Sequence, residues 1–304
     1  MAHGGERRAV LAALAANFGI AVVKFLGFAI TGAASLLAEA IHSFADTGNQ
    51  GLLLFGDARA ARNPTAGHPF GFARERYFWA FVVALVLFSG GGVFAVYEGV
   101  HKLSHPGEPT ALWLAVSILV AAFVLESFSL RTAVREARPL KGDASWVAYL
   151  RHSKSAELPV VLLEDLGALV GLVFALCGIV AAEVTGDQRY DAIGSLAIGG
   201  LLMVIAGVLA VQMRSLLIGE AAAPEVDARV IRIVEDDDRV VRLTDLRTQH
   251  FGPHEILVGV ELELDHTLTG IELTEALREI EDRIRAEIPD ILEVYLEPHT
   301  GDLT

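Results

Sequence analysis

Over its first two thirds the chain alternates long apolar windows with short polar segments. Residues 78–97, 109–125 and 192–213 are uncharged runs. Each is of the length needed to cross a hydrocarbon core roughly 30 Å thick at about 1.5 Å rise per residue. Residues 9–30, 36–55 and 159–182 are apolar overall but are broken by polar and charged side chains. The pattern predicts six helical spans, and the interruptions mark where an apolar helix departs from its own rule.

After residue 218 the period shortens. Residues 226–234 read as a short amphipathic helix and 240–249 as a strand. Ile256, Val258, Val260, Leu262 and Leu264 alternate with polar residues, the signature of a strand with one buried face. Thr269 followed by Glu272 forms a capping box for a helix whose apolar face is Ile271, Leu277, Ile280, Ile284 and Ile288. Residues 291–297 supply a last strand. The order αββαβ fits a split-βαβ sandwich, and the chain divides into a six-helix transmembrane domain, 1–217, and a small α+β domain, 218–304. A domain of about 80 residues holds a modest core, so a second copy would help it.

Charge sharpens this division. The net charge is −14, and residues 220–304 alone hold 22 acids against eight Lys or Arg, which leaves the remainder neutral. So acidic a tail argues against nucleic acid or anionic lipid as its partner. Lys and Arg also orient the spans, because short loops rich in them stay cytoplasmic. Arg7 and Arg8, then Arg59, Arg62, Arg74 and Arg76, then Arg131, Arg135, Arg138, Lys141, Arg151 and Lys154 fall on one side; the opposite loops hold only Lys102 and Arg189. Both termini are therefore expected in the cytoplasm. The N-terminal apolar stretch leads directly into the next with no persuasive cleavage site and reads as a retained first span. Cys177 lies in an apolar run and reads as a buried structural thiol.

Charged groups deep in a membrane are costly, so each is a functional candidate. Glu39, His42, Asp46 and Asn49 are spaced three, four and three apart, which stacks them on one face of span 2. His42 and Asp46 can converge on one divalent ion through an imidazole nitrogen and a carboxylate oxygen. Glu164 and Asp165 in span 5 are adjacent and about 100° apart on a helix, so one can face the shared site while the other meets a neighbour. The expected metal-ligating set is His42, Asp46, Glu164 and Asp165; for Glu39 and Asn49 a ligand role, a structural role and orientation of the ligands all stay open. Glu98 and Glu126 read as snorkelling residues near span ends. For Lys24, neutralising an acid of span 2 and snorkelling both stay open. His250, His254, His266 and His299 lie near strand ends of the tail; scattered surface histidines are the commoner explanation, and His250, His254 and His299 are the weaker candidates for a peripheral metal site.

Four segments together resemble the cation diffusion facilitator family: Ser35-Leu36-Leu37-Ala38-Glu39-Ala40-Ile41-His42-Ser43-Phe44-Ala45-Asp46, His68-Pro69-Phe70-Gly71-Phe72, Glu164-Asp165 and Tyr190-Asp191-Ala192-Ile193-Gly194-Ser195. The resemblance implies an α-helical membrane protein with six transmembrane helices and a ferredoxin-like cytoplasmic domain. It further implies a homodimer that exchanges Zn²⁺ or a related ion for protons, with no cofactor and no enzymatic activity. The chain departs from the commonest family pattern at Val161, four residues before Asp165, where relatives carry a ligand. Glu164 stands as the replacement, as in a subgroup similar to the animal mitochondrial zinc exporter. Phe72 occupies a position where many relatives place a second loop histidine. Thr244, Glu261 and Tyr295 occupy tail positions where relatives place metal-binding histidines. The resemblance therefore implies a weakened loop site and no tail site of the usual form.

The expected function is divalent cation efflux by metal/proton antiport of Zn²⁺, Mn²⁺, Fe²⁺ or Co²⁺, one histidine with three carboxylates being harder than a site with two histidines. Two rivals are a membrane metal sensor or scaffold that binds without turnover, and an intramembrane metal-dependent hydrolase. The hydrolase lacks an H-E-x-x-H helix and a serine elbow. The Ala-rich composition without an organelle presequence points to a bacterial plasma membrane.

Overall fold

The computed structural model describes residues 3–105 and 111–299, with side chains from Asn17 onward. The side chains of Arg7 and Arg8 and the start of the 109–125 run lie outside the described residues. Clustering of the chain gives two compact units, Met1–Arg59 with Glu75–Arg214, and Ala60–Arg74 with Ser215–Thr304.

The first unit is helical. Helices α1 (His3–Thr31) and α2 (Ala34–Ala60) are joined by a tight turn in which Gly32 takes φ +69°, a region that favours glycine. Helices α3 (Glu75–Val86) and α4 (Phe94–Ser104) are continuous through a π-helical segment, Leu87–Val93. That segment carries Gly90, Gly91 and Gly92, and π-bulges of this kind are rare insertions within α-helices. There follow α5 (Leu112–Lys141), the short α6 (Trp146–His152), α7 (Glu157–Thr185) and α8 (Arg189–Ile218). Glu75–Ser104, Leu112–Lys141, Glu157–Thr185 and Arg189–Ile218 are each long and apolar enough to cross a membrane. The described part of α1 contributes a shorter apolar stretch, Asn17–Thr31, and α2 is as long as a span but interrupted by its polar face.

Three expectations change here. The window read as ending at residue 125 belongs to a helix that continues to Lys141, because Ala122, Ala133 and Ala137 keep one face buried after the sequence turns polar. Glu126 therefore sits mid-helix rather than at an end. The segment between spans 4 and 5 contains α6, capped by Ser145, whose side chain accepts from the Ala148 amide at 3.1 Å. Cys177 is exposed on the outer face of α7 instead of buried. An apolar run does not by itself distinguish the face turned to neighbouring helices from the face turned outward.

The second unit contains α9 (Pro224–Glu235), β1 (Val240–Gly252), β2 (Glu255–Leu264), α10 (Gly270–Glu287) and β3 (Ile291–Pro298). The sheet order is β1-β2-β3, with β1 antiparallel to β2 and β2 parallel to β3. Helix α10 makes the crossover that a parallel pair requires. Strand β2 buries alternate residues, so Ile256, Val258, Val260, Leu262 and Leu264 pack with Val230, Ile233 and Val234 of α9 and Ile280 and Ile284 of α10. The Thr269–Glu272 capping box is present. Ile271, assigned from its period to the packed face of α10, is instead 74% exposed, because at about 100° per residue it lies opposite Ile280, and Leu273 packs on the core from that first turn. Asp237 clasps Arg239 at 2.8 and 2.9 Å and Arg283 at 2.7 Å, and these hydrogen bonds and charges hold its carboxyl below the usual carboxylate range. Residues 60–74 belong to this unit as well: Phe70 meets Phe251 at 5.3 Å, and the Arg74 guanidinium lies 4.3 Å from the Phe251 ring centroid.

Candidate metal site

Helix α2 carries the site, and its start is fixed from α8. The Asp191 carboxylate accepts from the backbone amides of Ala34 at 2.6 Å and Ser35 at 3.2 Å, and it also bonds the Ser35 hydroxyl. A carboxylate at a helix N-terminus satisfies amides that have no intrahelical partner and complements the helix dipole. The motif residue Asp191 thus sets the position from which Glu39, His42, Asp46 and Asn49 follow along one face.

Of these four, Glu39, His42 and Asn49 have no exposed surface. His42 Nε2 stands 3.4 Å from Asp46 Oδ2, within ion-pair range but not aligned as a hydrogen bond. Both ring nitrogens of His42, together with Asp46 Oδ1, Asn49 Oδ1 and Glu39 Oε1, are buried without a hydrogen-bond partner. Each such atom costs on the order of 1–3 kcal/mol. A row of them on one helix face is what a cation would repay.

From α7, Glu164 and Asp165 are both buried and point to different neighbours, as their angular separation predicts. Glu164 Oε1 accepts a 2.7 Å hydrogen bond from Asn49 Nδ2, and Asp165 Oδ2 accepts a 2.9 Å hydrogen bond from the Ser129 hydroxyl of α5. Both are electrostatic neighbours of Asp46. The structure therefore brings the sequence-predicted residues into one region but does not close them round one point. Among the described residues no group of three or more His, Cys, Asp or Glu stands in metal-holding geometry.

Lys24 is resolved in favour of pairing. It has no exposed surface, and its Nζ donates to Glu39 Oε2 at 3.1 Å and to Ser43 Oγ at 2.6 Å. Glu126 is corrected: from mid-α5 it is an electrostatic neighbour of Glu39, Asp46 and Asp165. Its separation of three from Ser129, which holds Asp165, put both on one helical face, and that spacing was a signal available in the sequence.

The tail histidines are not gathered. His250 is buried in β1 with Nδ1 3.0 Å from the Gly252 carbonyl, and His254 is exposed at the start of β2 with Nδ1 3.2 Å from Asp290 Oδ1. His266 Nε2 lies 3.3 Å from Glu263 Oε1. The backbone amide of the exposed His299 bonds Leu262 O near the other end of β2. In the 60–74 loop, the Phe72 ring lies 4.5 Å from the His68 ring and the Arg62 guanidinium 4.6 Å from the Phe72 ring.

Comparison with known proteins supplies the family. Residues 10–218 match the family model described as the cation efflux transmembrane domain, and residues 222–298 match that of the cation efflux protein cytoplasmic domain. The chain is 31% identical over 304 residues to a mitochondrial proton-coupled zinc antiporter of Homo sapiens, covering 97% of this chain and 53% of that protein. It is 30% identical over 262 residues to metal tolerance protein C4 of Arabidopsis thaliana, covering 86% and 57%. With the manganese efflux system protein MneP of Bacillus subtilis it shares 23% identity over 299 residues, covering 96% and 95%. It thus spans about half the length of the animal and plant relatives. With the transmembrane match alone running over residues 10–218 and the cytoplasmic match following it, the chain belongs to the cation efflux family, also called the cation diffusion facilitators.

Proposed function

We propose that this protein exports a divalent transition-metal ion in exchange for protons, and that His42, Asp46, Glu164 and Asp165 together hold the ion. The observation that carries this reading is the buried face of α2. His42 and Asp46 present unpartnered nitrogen and oxygen atoms there, opposite two more carboxylates on α7. Glu164 and Asp165, held by Asn49 and Ser129, are released to the ion when it arrives. Metal and protons compete for the same imidazole and carboxylates, so loading one expels the other, and a bundle with two arrangements turns that competition into exchange. A relative named as a proton-coupled zinc antiporter and another named as a manganese efflux protein support the reaction class.

The same reading takes 1–217 as six spans and 218–304 as a cytoplasmic domain through which two copies pair. Both termini are cytoplasmic and the membrane is a bacterial plasma membrane. The acidic tail draws cations toward the cytoplasmic mouth, an effect that weakens with salt.

One histidine among three carboxylates forms a hard site. In proteoliposomes, Mn²⁺, Fe²⁺ and Co²⁺ are expected to compete with Zn²⁺ uptake with inhibition constants within about tenfold of one another. Competition by Cd²⁺ alone would contradict this ligand set.

A further inference from the structure

Lys24 is among the largest fully buried side chains of the molecule, and it lies on α1 in an otherwise apolar stretch. A buried ion pair gives little stability compared with an apolar pair of the same volume, because desolvation offsets the attraction. The Lys24–Glu39 pair, one helical turn from His42, therefore calls for another account. Lys24 is an electrostatic neighbour of Glu39, His42 and Asp46 on α2 and of Glu126 on α5, and Glu164 and Asp165 of α7 join this field through Asp46. It is the single basic group in that set.

Glu39 is held by one oxygen only. Oε2 accepts from Lys24, whereas Oε1 is buried without a partner. A Cβ at Gly171 of α7 would stand 2.5 Å from that free Oε1, so the glycine leaves the space that admits the carboxylate between α1 and α7. The pair thus lies between α1 and α7, with its ammonium on the α1 side and an unpartnered carboxylate oxygen toward Gly171 of α7.

We propose that Lys24 is a tethered cation that sets the charge of the ion site: its ammonium repels the bound ion enough for release, and Glu39 limits that repulsion enough for loading. The proposal rests on the reading of His42 and Asp46 as ion ligands. It assigns opposite effects to the two members of one ion pair, which a purely structural contact does not do.

The test is the steady-state Zn²⁺ flux of the full-length protein in proteoliposomes. K24M removes a repelling charge; KM is expected to fall about tenfold and kcat to fall with it, as release slows. E39Q leaves the ammonium uncompensated, and KM is expected to rise about tenfold. K24R, which keeps the charge, is expected to lack the fall in KM seen in K24M, and K24M/E39Q, which removes both charges, returns KM to within about threefold of wild type. Shifts of K24M and E39Q in the same direction, or no shift in either, would overturn the inference. Should K24M not yield monodisperse protein, E39Q and the double variant still decide, since a double variant no closer to wild type than E39Q overturns it too. H42A and D46A, measured beside these, separate the two readings: their undiminished transport sinks the ion site itself, whereas their loss with unopposed shifts in K24M and E39Q sinks only the tethered cation.

Discussion

Asp46→Asn is expected to lower kcat/KM for Zn²⁺ transport by about a hundredfold or more while the protein still elutes as a monodisperse species. The substitution keeps the volume and removes the charge. Asp46 faces His42 at 3.4 Å, has one unpartnered buried oxygen, and is the group on which the fields of Glu126, Glu164, Asp165 and Lys24 converge. A carboxamide offers the ion a neutral oxygen and cannot exchange a proton for it, so both halves of the cycle suffer. Asparagine leaves α2 itself in place, since among the described residues Asp46 makes no hydrogen bond that caps or joins a helix. Flux that survives in D46N at a tenth of wild type or better would remove Asp46 from the site.

The second large effect concerns assembly. In Gly199→Val the new Cβ would stand 2.7 Å from Val96 Cγ2 and 2.8 Å from both the Gly92 carbonyl oxygen and the Val96 amide nitrogen. Two of those three neighbours are backbone, so no rotamer change relieves the clash. Gly92 and Gly99 on the continuous helix of α3, the π segment and α4 face α8 equally closely: a Cβ at Gly92 would meet Met203 Cγ at 2.6 Å, and one at Gly99 would meet Leu196 Cγ at 2.7 Å. Small residues at such seams let helix backbones approach, the main source of packing energy between helices in lipid. G199V is therefore expected to abolish recovery of monodisperse protein. G200V is the control, because a Cβ there meets nothing within 4 Å, and it should be recovered at wild-type yield. Equal yields for the two would contradict the packing described for α8.

How much of this was legible in the sequence depends on the kind of information each feature needs. The face of α2 was readable because charged residues in an apolar window are few and their spacing of three and four names a helix face. The β2 strand was readable because its alternation is unbroken from Ile256 to Leu264, and α10 because Thr269 and Glu272 signal its start. The extension of α5 to Lys141 was hidden by its change from apolar to amphipathic, which moved Glu126 from a span end to mid-helix. Inward and outward faces of α7 could not be separated, since lipid and core select the same apolar residues, and Cys177 was misplaced for that reason. Pairing between helices lies beyond a one-dimensional pattern altogether. Asn49 with Glu164, Ser129 with Asp165 and Asp191 with the start of α2 each join residues far apart in the chain and are shown by the fold alone, whereas the pairing of Lys24 with an acid of α2 was one of two readings open in the sequence, and the fold chose it and named Glu39.

These pairings also bear on how five acids, Glu126 included, and a lysine can share one apolar bundle. Glu164 and Asp165 of α7 each have one hydrogen-bond donor, Glu39 has Lys24, and Asp46 faces His42. His42 and Asp46, which face each other and keep open valences beside Glu39 Oε1 and Asn49 Oδ1, are the two α2 residues assigned to the ion.

Exchange of metal for protons through this face of α2 is read out by simultaneous metal and proton flux. Purified protein is reconstituted with a pH-sensitive dye and a Zn²⁺ indicator enclosed in the vesicles, and Zn²⁺ is added outside. Zn²⁺ influx is expected with alkalinisation of the lumen, acceleration by an acidic lumen, and loss of both signals together in H42A/D46A. Zn²⁺ influx that leaves the luminal pH unchanged and is indifferent to an imposed pH gradient, or that persists undiminished in H42A/D46A, would contradict exchange through this face.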